Sequence, residues 1–325
     1  MNPFDLTISF EEKAFQVFEY QKEFNPVYGK FCKALGVSKV SSIKEIPLLP
    51  IQAFKDAELL SLKSEGQKPE LVFRSSGTSG MSRSKHYVVK PELYRESILK
   101  GMHHFYSLDD FVTLAYTPRY NSNPESSLIW MLSELIRGDE SGLSGFLELD
   151  KPLEQEQIQN IYVSGKRVML FGAAFGLLDL VGFGDTKLPK DSIIIETGGM
   201  KTFRREISRT DLHAQLADGF GISNKNVHSE YGMTELLSQA YSRGNEWFQC
   251  VPWMSVSIRK PANPMEEMSK GEEGLIGVID LANVYSCSFI LTGDKGIQNE
   301  DRGFQVLGRW NPQNLRGCNF LIDQD

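Results

Sequence analysis

The densest chemistry in the sequence is the run Phe73-Arg74-Ser75-Ser76-Gly77-Thr78-Ser79-Gly80-Met81-Ser82-Arg83-Ser84-Lys85. Gly77 and Gly80 let a backbone come close to an anion and turn its N–H groups inward. Ser75, Ser76, Thr78 and Ser79 add hydroxyl donors suited to phosphate oxygens, and Lys85 adds a point charge. The run is not the G-x-x-x-x-G-K-[ST] phosphate loop, because no Lys-Ser/Thr pair follows its second glycine at that spacing. Composition alone fits both a phosphate cradle and a solvent loop. The strand expected just before it, and the lack of a similar run elsewhere, favour the cradle.

A second concentration is Ser229-Glu230-Tyr231-Gly232-Met233-Thr234-Glu235, read as one tight turn. Its aromatic face can stack on a base and its threonine can hold a phosphate oxygen. A single carboxylate, Glu235, can hold Mg²⁺ that is otherwise ligated by water and phosphate. The same residues could instead begin a surface helix. Leu291-Thr292-Gly293-Asp294 is expected to set an acid at a strand end, where ribose hydroxyls could donate to it, and Gly308-Arg309 a cation beyond the next strand. Turn aspartates are more often caps. His103 and His104 have no carboxylate or third histidine at ligand spacing, so they read as surface or pocket lining. Pro124-Glu125-Ser126-Ser127 looks like a helix start, facing an anion or simply capped by Ser126. Trp130 and Met131 beyond it fit a core stripe better than an acyl tunnel.

These residues need a scaffold. Ser9-Phe10-Glu11-Glu12 is a capping box ahead of helices that run to Gly36, and Pro47 and Pro50 make an extended connector. From about residue 70, short apolar runs (70–73, 111–116, 168–171, 192–195) alternate with helix-length stretches, the pattern of α/β layers. After about residue 245 the runs 256–259, 277–281, 286–292 and 304–307 read as strands of a β-rich lobe. The expected division is therefore an α/β core over 1–245 and a β-rich lobe and tail over 246–325. No apolar stretch approaches the roughly 20 residues of a membrane span, and the start is polar and acidic rather than a secretory signal. A net charge of −7 argues against general nucleic-acid binding. Cys32, Cys250, Cys287 and Cys318 are scattered, which fits reduced thiols in a cytoplasmic protein rather than a zinc site or disulfide framework.

The order of the pieces carries more than any one of them. A hydroxyl-rich loop, then Y-G-x-T-E, then T-G-D, then G-R resembles the adenylate-forming superfamily of acyl-CoA synthetases, luciferases and peptide-synthetase adenylation domains, over nearly the whole chain. Within it the sequence most resembles the bioluminescence-type acyl-protein synthetases, through LPIQAFK, SSGTSG, NPESSLIWML, EYGMTE and the terminal RGC. Phenylacetate-CoA ligases are a more distant likeness. The resemblance implies ATP and Mg²⁺ as cofactors and the large N-terminal domain of that fold. It gives Ser75–Gly80 to pyrophosphate, Tyr231 to adenine, Thr234 to the α-phosphate and Glu235 to Mg²⁺. Asp294 matches the ribose aspartate, Arg309 the arginine near a hinge, and Gly198 and Gly199 a turn beside the adenine.

Full members continue past the G-R pair into a lid carrying a lysine. This chain stops sixteen residues after Arg309, so the lid is expected to be absent, and either another group supplies that charge or adenylation is slow. The resemblance also implies acyl transfer to a cysteine near the C-terminus, which Cys318 matches. Arg316 could lower its pKa, and the alternative is an unreactive thiol at a frayed end. The expected reaction is activation of a carboxylic acid to acyl-AMP and transfer to a thiol of this chain, a partner reductase, a carrier protein or CoA. Two other readings stay open: an acyl-CoA or carrier-protein ligase, and a non-catalytic nucleotide- or acyl-binding subunit.

Overall fold

The computed structural model describes residues 2–63, 67–76, 83–118, 122–184, 186–198 and 207–310. The Ser9 hydroxyl accepts the Glu12 amide at 3.1 Å and starts α1 (Phe10–Phe24). Asn25 does the same for α2 (Pro26–Ala34), accepting the amides of Val27 and Tyr28. The two-proline connector runs extended, and part of it becomes β1 (Leu49–Pro50) ahead of α3 (Ala53–Asp56). A hairpin follows, β2 (Leu71–Arg74) and β3 (Lys85–Val88). Then come α4 (Pro91–Phe105), β4 (Phe111–Tyr116), α5 (Ser127–Gly138), β5 (Gly145–Phe146), α6 (Gln155–Val163) and β6 (Arg167–Ala173). The core continues through α7 (Ala174–Gly182), β7 (Ile193–Thr197), α8 (Arg209–Phe220), β8 (Val227–Tyr231), β9 (Ala240–Arg243) and β10 (Gln249–Cys250). Five more strands finish it: β11 (Met254–Lys260), β12 (Asn263–Glu267), β13 (Gly274–Asp280), β14 (Phe289–Gln298) and β15 (Phe304–Arg309).

Two sheets organise these elements. One has the order β10-β9-β8-β7-β6-β4-β5, parallel from β8 to β5 and antiparallel at the β8–β9–β10 edge. Its central strands are apolar on both faces because both faces are covered. Phe111, Ala115, Met169, Phe171 and Ile195 point toward α4, α5 and the second sheet. Val112, Leu114, Val168, Leu170 and Ile194 point toward α6, α7 and α8. The second sheet has the order β1-β14-β13-β11-β12, with β15 also paired to β14. β1 pairs parallel to β14, Leu49 opposite Ile290, so the early connector completes a sheet built otherwise from the last quarter of the chain. The expected boundary at 245 falls between β9 and β10, two neighbours in the first sheet.

Most strands expected from the sequence are present, and 111–116 has the same bounds as β4. Three local readings change. Asp294 lies inside a ten-residue strand rather than at a strand end, and Arg309 is the last residue of β15, in register with Asp294. Ser229 to Tyr231 close strand β8, so only the residues after Tyr231 form the turn.

Candidate active site

The carboxyl ends of β7 and β8, the first turn of α8 and the end of β15 enclose a cleft of about 640 Å³. Crevices at strand carboxyl ends are where open α/β sheets bind ligands, and this volume suits a nucleotide-sized molecule. Gly198, at φ 84°, opens one rim where a side chain would be strained.

One wall is a chain of three side chains from three strands. The Tyr231 hydroxyl donates to Asp294 Oδ2 at 3.0 Å, and Arg309 Nε sits 3.0 Å from Oδ1. Burial, with the Asp294 charge adding to it, pushes the Tyr231 phenol well above its usual range, so it stays a donor. Its ring packs edge-on to Phe304 and tilted to Phe248, and the Arg209 guanidinium lies 4.8 Å over the Phe248 ring. Each Asp294 oxygen keeps a lone pair beyond these bonds. Aromatic and apolar surface, ribose-type acceptors and two arginines fit an adenine nucleotide.

Sequence reasoning missed the acidic floor. β7 and β8 run parallel with Glu196 opposite Ser229 and Thr197 opposite Glu230. On the α8 side, buried Glu196 faces Arg209 Nε at 3.6 Å and His213 Nε2 at 3.5 Å, and that ring nitrogen is 3.1 Å from the Ser229 hydroxyl. On the other side the Thr197 hydroxyl donates to the buried Glu230 carboxylate. Burial pushes the Glu230 carboxyl up to about 7; the Thr197 bond opposes this and Glu196 adds to it. Gly232 makes room, because a Cβ there would come within 2.2 Å of Glu230 Oε1. The available signal was an acid at the next-to-last position of each of two strands, Ile193–Thr197 and Val227–Tyr231.

Thr234 and Glu235 follow directly on the cleft residues Glu230 to Met233. Thr234 is half-buried and its carbonyl accepts from His86 Nδ1 at 2.7 Å; Glu235 is buried and its carbonyl accepts the Asn283 amide at 2.8 Å. The stem of the hydroxyl-rich loop is closed: Ser75 N donates to Ser84 O at 3.1 Å and Ser84 N to Ser75 Oγ at 3.0 Å. Ser76 is exposed, and Lys85 opens β3 opposite Arg74. Arg74 Nε binds Glu125 Oε1 at 2.6 Å, which joins the stem to the segment before α5. There Ser126 accepts the Ile129 amide at 3.3 Å, a plain cap. Trp130 stacks on Tyr94 at 4.9 Å within the core, and His103 and His104 lie exposed on the last turn of α4. Gly77, Thr78, Ser79, Gly80, Gly199 and Cys318 lie outside the described residues.

Solved structures of similar fold include ligases. The chain aligns with 2-hydroxyisobutyryl-CoA ligase in complex with 2-HIB-AMP and CoA, at TM-score 0.63 and 14% identity, covering 91% of this chain and 68% of that one. It also aligns with ATP-bound MatB from Rhodopseudomonas palustris at TM-score 0.53 and 16% identity, over 77% of this chain and 50% of that one. The fold is therefore that of the adenylate-forming ligases. Curated relatives are the long-chain-fatty-acid–luciferin-component ligases of Vibrio harveyi (26% identical, over 94% of this chain and 85% of the relative) and Aliivibrio fischeri (24%, over 93% and 85%). The family model for acyl-protein synthetase, LuxE, matches residues 135–325, and the chain belongs to that family. It is an AMP-forming ligase that activates a carboxylic acid with ATP.

Proposed function

We propose that the acid is a long-chain fatty acid and that the acyl group leaves on a protein thiol. The carboxylate oxygen attacks the α-phosphorus of ATP, and pyrophosphate departs with the bonding pair. A thiolate then takes the acyl carbon, forming a thioester and releasing AMP. The observation that carries this reading is the Tyr231–Asp294–Arg309 chain in a nucleotide-sized cleft, one turn before Thr234 and Glu235. Tyr231, Gly198 and Gly199 hold adenine, and Asp294 and Arg309 the ribose side. Ser75–Gly80 and Lys85 hold pyrophosphate, and Thr234 the α-phosphate. Glu235 would hold Mg²⁺, which would supply charge neutralisation at the phosphates. Catalysis is then mostly positioning and charge stabilisation.

The relatives' names, long-chain-fatty-acid ligases, support the substrate class. The thiol is that of Cys318, a partner reductase or a carrier protein, with CoA as the small-molecule alternative. We take residues 1–245 as the activating core, 246–325 as its lobe and tail, and the cytoplasm as the compartment. Labelled-pyrophosphate exchange into ATP, driven by carboxylic acids of graded chain length, tests the reading. Exchange that rises with chain length supports it, and exchange with short acids alone rejects the fatty-acid assignment. Intact mass after incubation with ATP and acid tests the acceptor, since a covalent adduct lost in Cys318→Ser assigns it to the tail.

A further inference from the structure

His86 is one of the most enclosed polar side chains in the molecule, and the proposed chemistry does not use it. It follows Lys85 at the start of β3, two residues beyond the Ser84 that closes the loop stem on Ser75. Its ring is fully buried, with Phe54 edge-on at 5.8 Å. Burial lowers its pKa against the two hydrogen bonds it makes, which raise it, and because a carbonyl can only accept, Nδ1 donates to Thr234 O at 2.7 Å. Its Nε2 lies 2.9 Å from Asn283 Oδ1, the amide oxygen, which can only accept, and Asn283 Nδ2 donates to the carbonyls of Glu235 (2.8 Å) and Cys287 (2.9 Å). Two linked side chains thus hold the carbonyls of Thr234 and Glu235, across 148 residues from His86 and 48 from Asn283. The next residues are pinned from the other side: Asp280 Oδ2 accepts the amides of Leu237 at 2.7 Å and Ser238 at 3.1 Å.

We propose that His86 is a positioning residue for adenylation, which with Asn283 fixes the Thr234–Glu235 backbone against the strand leaving the hydroxyl-rich loop. The inference rests on the roles given above to Thr234 and Glu235. His86 holds one of two consecutive carbonyls in that turn and Asn283, 2.9 Å from it, holds the other, so the two side chains act on the same stretch of backbone. Holding these carbonyls sets how far Thr234 and Glu235 stand from β3 and the Ser75–Ser84 stem, and a misplacement of about 1 Å costs about 100-fold in rate.

The test uses the full chain with two substitutions. His86→Phe keeps a ring and removes both nitrogens; His86→Asn keeps an amide donor near the Nδ1 position. For His86→Phe the expected result is a fall in kcat of pyrophosphate exchange by about 10- to 100-fold. KM for ATP should stay within about threefold, because ground-state binding through Tyr231 and Asp294 is untouched. His86→Asn should recover most of the loss. Amide hydrogen exchange should rise over 233–236 in His86→Phe and stay unchanged in β11 and β13. Wild-type kcat in His86→Phe, equal losses in both variants, or no local rise in exchange overturns the proposal. If His86→Phe does not fold, His86→Gln replaces it, and a His86→Gln at least as active as His86→Asn overturns the proposal. Should wild-type protein show no pyrophosphate exchange with any acid, the function above fails, and hydrogen exchange, which needs no substrate, still decides the clamp.

Discussion

Asp294 has two carboxylate oxygens, and each already carries a partner, Tyr231 on one and Arg309 on the other. Ribose hydroxyls therefore meet a carboxylate that is fixed before they arrive, and its removal leaves a buried phenol unpaired as well. Asp294→Ala is expected to raise KM for ATP by about 10- to 100-fold, the equivalent of about 1.5–3 kcal/mol for hydrogen bonds to a charged group, with a smaller change in kcat. Initial rates against ATP concentration check it, and an unchanged KM removes Asp294 from the nucleotide site. Glu230 makes a different statement, about pH. Its folded pKa, pushed up to about 7, lies above its ordinary value of 4.5. The native state then keeps a proton that the unfolded state releases, so stability is fully present below about 4.5 and falls as pH rises through about 7. The full effect is on the order of 3 kcal/mol. Urea midpoints of wild type and Glu230→Gln, taken at pH 5 and 8, should show a smaller decline in the variant. An equal decline would mean that Glu230 is ionised throughout.

At the scale of elements, the contact between α7 and α8 sets where Arg209 stands in the cleft and where buried His213 stands beside Glu196. Gly219 lies near the end of α8, and a Cβ there would come within 2.5 Å of Val181 Cγ1 and 2.7 Å of Cγ2. Gly→Ala in a helix contributes about 1 kcal/mol of propensity, but Val181 is β-branched with little rotamer freedom, and overpacking costs about 1–3 kcal/mol. Gly219→Ala should therefore lose about 1 kcal/mol in urea unfolding, where an exposed helix would gain it. The parallel strands were legible in the sequence because burial on both faces leaves uninterrupted apolar runs such as 111–116. β14 was read short because Gly293, Asp294 and Gly296 look like turn residues, and only the ladders from β13 and β15 hold them extended. The ordered motifs gave Tyr231, Asp294 and Arg309. Glu196, Arg209, Phe248 and the His86–Asn283 pair were not legible, because each owes its place to contacts with distant parts of the chain.

Across the whole molecule, the amino-terminal helices and the carboxyl-terminal lobe are one hydrogen-bonded unit. Gln21 in α1 is fully buried; its Nε2 donates to the carbonyls of Asn283 (3.1 Å) and Val284 (2.9 Å), and its Oε1 accepts the Ser288 amide at 2.9 Å. Asn25 and Ser61 both donate to the Ser286 carbonyl, at 2.9 and 2.6 Å. The loop supported in this way carries Asn283, which holds the Glu235 carbonyl, so α1 braces the site from more than 250 residues away in sequence. Gln21→Leu keeps most of the side-chain volume and strands three backbone groups, each worth about 1–3 kcal/mol when buried without a partner. Relaxation of the loop recovers part of this, leaving an expected loss of about 2–4 kcal/mol. If helices and lobe are one unit, the loss appears in both together. In a protein whose other tryptophans, Trp130, Trp247 and Trp310, are replaced by phenylalanine, Trp253 fluorescence reports the contact of the lobe with Phe4 and α4, where its Nε1 donates to Ser97 Oγ at 3.0 Å, while far-UV circular dichroism reports mainly the helices. Gln21→Leu should lower both urea midpoints by the same amount. A shift in circular dichroism alone, or in neither signal, would show that Gln21 does not hold the lobe, and the brace from α1 to the site would then have no energetic reality.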